Sequence, residues 1–158
     1  MKVIFLDIDG VLVSARSCLA FGGLPDTAKG YERDMFDEVA VSLIRKIAAK
    51  AEAKIVLSSS WRSRVDFASL GEDLNLPIID QTPVLHGQPR GQEIHEWLAA
   101  HTDVEDYAIV DDREDFLMYQ KKHLVRPMFA DGFSKKNAEW LSDILSVSIH
   151  DADCKAGE

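Results

Sequence analysis

Apolar residues recur along this chain in two alternating rhythms. Short runs dominated by β-branched and aromatic residues come first: Val3-Ile4-Phe5-Leu6, Lys54-Ile55-Val56-Leu57, Pro77-Ile78-Ile79-Asp80, Tyr107-Ala108-Ile109-Val110 and Leu124-Val125-Arg126-Pro127-Met128-Phe129. Their length and content suit strands buried on both faces of a parallel sheet. Between them lie stretches whose apolar positions fall three and four apart. Val39, Leu43, Ile44, Ile47 and Ala48 mark a helix over 36–51, and Val65, Phe67, Leu70 and Leu74 another over 63–75. Ile94, Trp97 and Leu98 mark a third, and Ala138, Leu141, Ile144 and Leu145 a fourth that Ser134 caps. Asp37 and Glu38 place negative charge in the first turn of the 36–51 helix, where the dipole favours it. Pro127 has no N–H to give a ladder, which puts the last strand at an edge.

Strand and helix alternating in this way predict an α/β fold: a three-layer sandwich around a five-stranded parallel sheet. With the first and fourth strands as neighbours, the order is 3-2-1-4-5 and the switch point falls between them, where such sheets bind ligands. Residues 14–34, punctuated by Gly22-Gly23, Pro25-Asp26 and Lys29-Gly30, read as a loop or small hairpin too short for a domain of its own. Its cations are Arg16, Lys29 and Arg33. The expected organisation is a single domain over 1–149 with a polar, frayed tail at 150–158.

Composition narrows the class. The 158 residues are enough for one core, and 46% hydrophobic with 28% charged residues is ordinary for a globular domain. Cys18 and Cys154 lie far apart with no CxxC or Cys/His neighbour, so neither a disulfide framework, a zinc site nor thiol catalysis is expected. The default setting is then reducing and cytoplasmic. No apolar run approaches a membrane span, and the chain enters a strand directly, with no signal peptide. A net charge of −9 argues against non-specific nucleic-acid binding over the whole surface, although it leaves room for a local basic site.

The chemistry gathers where the strands end. The first runs into Asp7-Ile8-Asp9-Gly10. In an extended chain side chains two apart point the same way, so Asp7 and Asp9 are expected to project together. Carboxylates held that close repel unless a cation joins them. Gly10 permits the sharp turn around it. The second strand ends in Ser58-Ser59-Ser60-Trp61-Arg62. Three hydroxyls before a helical stretch suit a helix N-terminus that holds an anion, or a plain N-cap. Arg62 is either a further guanidinium for phosphate or a solvent-facing side chain, and Trp61 reads as packing. The fourth strand ends in Asp111-Asp112-Arg113-Glu114-Asp115. Adjacent aspartates on a strand point to opposite sides, so one serves as ligand and the other supports it. Asp115 reads as an ordinary acid of a first helical turn, and His86 as a surface residue.

Phe5-Leu6-Asp7-Ile8-Asp9-Gly10-Val11-Leu12 resembles the DxDG(T/V) motif of haloacid dehalogenase-like (HAD) phosphohydrolases. With SSSWR and the later DDR, the chain is similar to the HAD domains associated with RNA-repair proteins, and the resemblance covers essentially its whole length. It implies a Rossmann-like HAD core with a minimal cap at 14–34. By the same resemblance Asp7 is the nucleophile that becomes an aspartyl-phosphate, and Asp9 is the general acid/base whose main-chain carbonyl also ligates Mg2+. Ser58, with Ser59 the alternative register, bonds the phosphoryl oxygen. Arg90 fills the place of the basic third motif, where the wider family more often has Lys. The resemblance makes Asp112 the direct ligand of Mg2+ in the DD form of the fourth motif, with Asp111 supporting it. The presence of Asp9 favours phosphate-ester hydrolysis over dehalogenation. The implied substrate is phosphorylated: a nucleic-acid end (which the net charge does not favour), a nucleotide or a phosphoprotein. The alternative is a non-catalytic metal- or phosphate-binding module in a repair or regulatory complex.

Overall fold

The computed structural model describes residues 1–23 and 30–150. Lys29, one of the cations expected in the 14–34 insert, and Cys154 lie outside the described residues. Five parallel strands form one sheet: β1 (Lys2–Leu6), β2 (Ala53–Leu57), β3 (Ile78–Gln81), β4 (Asp106–Val110) and β5 (Leu124–Val125), in the order β3-β2-β1-β4-β5. β1 is central, pairing with β2 from Lys2↔Ala53 to Leu6↔Leu57 and with β4 from Lys2↔Asp106 to Leu6↔Val110. The expected fold and strand order are both present.

The period-2 geometry of β1 divides the interior. Ile4 and Leu6 face one apolar cluster with Ile55, Leu57 and Val110, while Val3 and Phe5 face a second with Val56 and Ile109. The first cluster is covered by α2 (Glu38–Ala51), α3 (Phe67–Leu74) and α5 (Lys135–Ile144) through Ile44, Ile47, Leu70, Leu74 and Leu141. The second is covered by α4 (Arg90–Ala100) through Ile94 and Trp97, with Phe5 edge-on to Trp97 at 5.4 Å between centroids. Helices on both faces of a parallel sheet make the three layers.

Three segments depart from the sequence reading. The 14–34 insert carries a helix, α1 (Ala15–Phe21), rather than a loop or hairpin over its whole length. Ser14 and Ser17 cap it reciprocally, Ser17 N–H donating to Ser14 Oγ at 3.2 Å and Ser14 N–H to Ser17 Oγ at 2.9 Å. It buries only Ser17 and Cys18, so no apolar stripe announces it. The 63–75 helix is in fact a 3₁₀ turn at Ser60–Ser63 followed by α3, which starts afresh because the Asp66 carboxylate accepts from Ser69 N–H at 2.8 Å. β5 is two residues long, since beyond Val125 the chain leaves the sheet, passes Pro127 and turns back on itself.

Candidate active site at the carboxyl ends of the strands

β1 delivers Asp7. The ladder reaches one residue past the strand, Asp7 N–H donating to Val110 O at 2.9 Å, and the side chain is buried, 4% exposed. The chain then closes a tight loop in which the N–H groups of Val11, Leu12 and Val13 all converge on Ile8 O. Asp9 therefore sits in a turn and not in an extended strand, and the two-residue periodicity expected to align it with Asp7 stops one residue short. Its carboxylate accepts instead from Trp61 Nε1 at 3.1 Å. Gly10 adopts φ +76°, and a Cβ there would lie 2.4 Å from Asp112 Oδ2. Only glycine lets the β1 loop and the β4 tip approach this closely.

β4 delivers Asp111 and Asp112. One oxygen from each of Asp7, Asp111 and Asp112 lies within 4.8 Å of the others. The two neighbours are not equivalent. Asp111 is fully buried and both its oxygens are engaged, Oδ2 by Arg90 Nη1 at 2.8 Å and Oδ1 by Arg113 N–H at 2.9 Å. Asp112 is half-buried and abuts Gly10. Asp9 contributes no carboxylate oxygen to this triad, because its side chain turns to Trp61.

Arg90, the first residue of α4, bridges the cluster, with Nη1 2.8 Å from Asp111 and 3.0 Å from Asp7. Its placement depends on an unusually close approach. A Cβ on Gly91 would lie 2.5 Å from Gln120 Oε1 and 2.6 Å from Leu117 N, so the start of α4 lies directly on the backbone after β4. Gln120 seals the contact, donating to Gly91 O at 2.9 Å and accepting from Leu117 N–H at 3.0 Å. Asp115, on the same segment, accepts from Arg90 N–H at 3.1 Å and Gly91 N–H donates to its carbonyl at 3.0 Å.

One cation does not neutralise this much negative charge. Burial, then the charge of Asp7, raises the Asp111 carboxyl to about 7 against the opposing pull of Arg90. Burial and Asp7 also raise Asp112. Asp9 is raised by burial, opposed by the Trp61 hydrogen bond and reinforced by Asp7 and Asp112. Three carboxyls displaced upward together mark a site short of positive charge. The donors are all oxygen, which suits a hard divalent cation such as Mg2+.

β2 delivers the serines, and their roles divide. Ser59 is the N-cap of the 3₁₀ turn, its Oγ accepting from Trp61 N–H at 3.2 Å. Ser58 N–H continues the ladder to Leu6 O at 2.9 Å, which fixes Ser58 beside the end of β1. Its Oγ is buried and has no hydrogen-bond partner among the described residues. Buried hydroxyls are nearly always paired, so an orphan here marks a group held for something else. Arg62 is neither solvent-facing nor open to an anion through its terminal nitrogens. It is buried, with Nη1 donating to Ser58 O at 2.8 Å and Thr82 Oγ1 at 3.0 Å, and Nη2 paired with Glu93 at 2.5 Å. It braces the β2 tip against β3 and α4.

Sequence reasoning missed Glu93, Thr82 and Gln120. Glu93 carried a signal: it lies next to Ile94 and four residues before Trp97, on the apolar face of α4, where an unpaired carboxylate is costly. Trp61 is packing, as read, clustered with Phe36 and Tyr31, and its indole N–H also holds Asp9. Arg16 and Arg33 of the insert are tied to Asp37 and Glu38. Cys18 is buried, and burial together with the Asp9 charge raises its thiol. His86 is exposed in the loop before α4.

Residues 3–138 match the family model described as the HAD domain in Swiss Army Knife RNA repair proteins. The chain belongs to this HAD family. The match spans all three strand tips of the site and α4. No curated protein and no solved structure matches the chain. Of the acids that the HAD resemblance singled out, Asp7, Asp111 and Asp112 lie together at the switch point of the sheet, and the Asp9 carboxylate turns to Trp61. Among the described residues no helix is long and apolar enough to cross a membrane.

Proposed function

We propose that this HAD domain is a Mg2+-dependent phosphomonoester hydrolase working through an aspartyl-phosphate on Asp7. The observation that carries the reading is the meeting, at the ends of adjacent strands, of the Asp7–Asp111–Asp112 oxygens and the Arg90 guanidinium, with Ser58, its hydroxyl unpartnered among the described residues, at the neighbouring end of β2. Asp7 and Asp112 would hold the ion through carboxylate oxygens, with Asp9 adding its main-chain carbonyl as the family resemblance implies and Asp111 supporting through Arg90. A bound Mg2+ would supply positive charge to the phosphoryl oxygens and orient the ester.

The protein's own groups do the rest. An Asp7 carboxylate oxygen attacks phosphorus and the P–O ester bond breaks, leaving the phosphoryl group on Asp7. Asp9, whose carboxyl is raised above its ordinary value by burial, gives a proton to the departing oxygen. Water then attacks the phosphorus of the acyl phosphate while Asp9 takes its proton, releasing inorganic phosphate and restoring Asp7. The Ser58 hydroxyl and Arg90 bear on the equatorial oxygens, where charge builds in the loose transition state. The insert between β1 and α2 is short, which suits a large phosphorylated substrate. A nucleic-acid end is favoured by the family's association with RNA repair, and nucleotides and phosphoproteins belong to the same chemical class.

The test is turnover of p-nitrophenyl phosphate with Mg2+ by wild type and Asp7→Asn. Wild type is expected to turn over and Asp7→Asn to lose the activity. Hydrolysis surviving in Asp7→Asn overturns the nucleophile assignment. Absence of hydrolysis of any phosphoester by a wild type that still binds Mg2+ makes the domain a binding module.

A further inference from the structure

The reading above leaves unexplained a group of exposed apolar side chains beside the acidic cluster. Met128 is 70% exposed and Phe129 49%, on the segment that follows β5. Trp140, on α5, is 48% exposed. Large apolar groups gathered on a surface commonly mark an interaction site. These three border two adjoining hollows of about 600 and 320 Å3. The larger begins at Asp112 and is walled by Arg126, Pro127, Met128 and Phe129. The smaller shares Arg126 and Met128 and continues past Asp131 to Lys136 and Trp140.

The platform is rigid. Residues 128–132 fold into a turn in which Asp131 and Gly132 N–H groups both donate to Met128 O, at 3.0 and 2.8 Å. The turn is tied to α1 by Ala15 N–H to Phe129 O at 3.0 Å and Arg16 N–H to Ala130 O at 3.2 Å. Phe133 N–H then joins it to Val11 O at 2.9 Å, in the loop that carries Asp9. Gly132, at φ +72°, could not take a Cβ, which would meet Val11 O at 2.9 Å. Phe129 thus stands on a frame built into the site and not on a wandering loop. Arg126, donating to Asp112 O at 2.9 Å and paired with Glu114, connects the acidic cluster to the hollows.

We propose that these hollows form a track for single-stranded nucleic acid, leading away from a terminal phosphate seated at Asp7. The proposal rests on the reading of that cluster as a phosphoryl site. Sequence-tolerant strand binding uses flat or polarisable side chains for bases and cations for the backbone, and this track interleaves Phe129, Met128 and Trp140 with Arg126 and Lys136. β5 is an edge strand of the sheet and leads directly into Arg126 and Pro127, so a phosphopeptide is the competing occupant that the experiment must separate. A net charge of −9 does not favour nucleic acid over the surface as a whole, so binding is confined to the track. The strand needs local cations, and with Arg126 already paired to Glu114 the track depends chiefly on Lys136 for charge.

The experiment is fluorescence anisotropy with a short labelled single-stranded oligoribonucleotide carrying a terminal phosphate, on Mg2+-loaded wild type and on Phe129→Ala, Trp140→Ala, Lys136→Glu and the control Val39→Ala, which lies on the exposed face of α2. Wild type is expected to bind, more weakly as salt rises. Each aromatic variant should bind about 5- to 150-fold more weakly, the range that loss of one stacked base gives. Lys136→Glu should flatten the salt dependence, and Val39→Ala should bind like wild type. A wild type that does not bind, variants that bind like wild type, or a phosphoserine peptide that competes as well as the oligonucleotide each overturn the track. Because the readout is binding, the two readings fail separately. A domain that turns over p-nitrophenyl phosphate while its track variants bind normally loses only the track. One that binds as described without hydrolysing any ester loses only the hydrolase.

Discussion

Replacing Ser58 by alanine should push stability and activity in opposite directions. The Ser58 hydroxyl is shielded from solvent and unpaired among the described residues, while the Ser58 main chain is held by Leu6 and Arg62. An unsatisfied buried polar group costs about 1–3 kcal/mol. Alanine keeps the Cβ and both main-chain hydrogen bonds, so Ser58→Ala should leave the metal-free protein as stable as wild type or up to about 1 kcal/mol more stable. The same change removes a preorganised donor to the phosphoryl group, and the loss of one such donor lowers kcat by about 10²–10³. Urea unfolding monitored by tryptophan fluorescence gives the first quantity, and Mg2+-saturated kinetics on p-nitrophenyl phosphate gives the second. Ser59→Ala is the matched comparison. It removes the cap on Trp61 N–H and should cost about 0.5–2 kcal/mol of stability, with the smaller effect on kcat. If Ser58→Ala destabilises the fold by more than about 1 kcal/mol while kcat is retained, the hydroxyl is structural and its assignment to the phosphoryl group is wrong.

Gly10→Ala forces a side chain at φ +76° into Asp112 and should weaken Mg2+ binding at least about tenfold by calorimetry, with tight binding retained only if the two loops can separate freely. Glu93→Ala strands the Arg62 guanidinium in the interior and should cost about 3–5 kcal/mol in denaturant unfolding, and adding Arg62→Met should recover much of that loss. An additive double variant would show that the pair is not a unit. In metal-free protein Asp111 is held at about 7 by burial and by Asp7, above its ordinary 3.8, so the folded state keeps a proton that the unfolded chain has released. Its contribution to stability therefore falls as pH rises from about 4 to about 7 and is flat above that. Mg2+ needs the ionised carboxylates, so the rise in Tm on adding Mg2+ should grow between about pH 5 and about pH 8, and a shift independent of pH would refute the assignment.

What was legible in the chain follows from how strongly each signal is coupled to burial. β1, β2 and β4 are buried on both faces and read directly as apolar runs, and their order followed once the acids at the tips of the first and fourth were asked to meet. α1 was not legible, because it is made by a serine capping box and buries almost nothing apolar. The break before α3 was hidden because Phe67, Leu70 and Leu74 fall three and four apart and apolar Val65 stands just before them, so the stretch reads as one helix. At the site, residue types pointed to the right strand ends but not to side-chain directions. Ser58 and Ser59 are the same residue type, and only their hydrogen bonds assign one to the turn and leave the other unpaired. Arg62 depended on Glu93, thirty-one residues away, a pairing that no local pattern reveals.

The position of β1 has a further consequence. With a hydrogen-bonded neighbour on each side, it belongs to the part of the sheet that opens last, so the amide protons of residues 3–6 should exchange with solvent only when the whole domain unravels. Asp7 inherits that protection from its link to Val110. The edge strand and the segments around it can loosen, lengthen or diverge to suit new substrates while the attacking oxygen keeps its address.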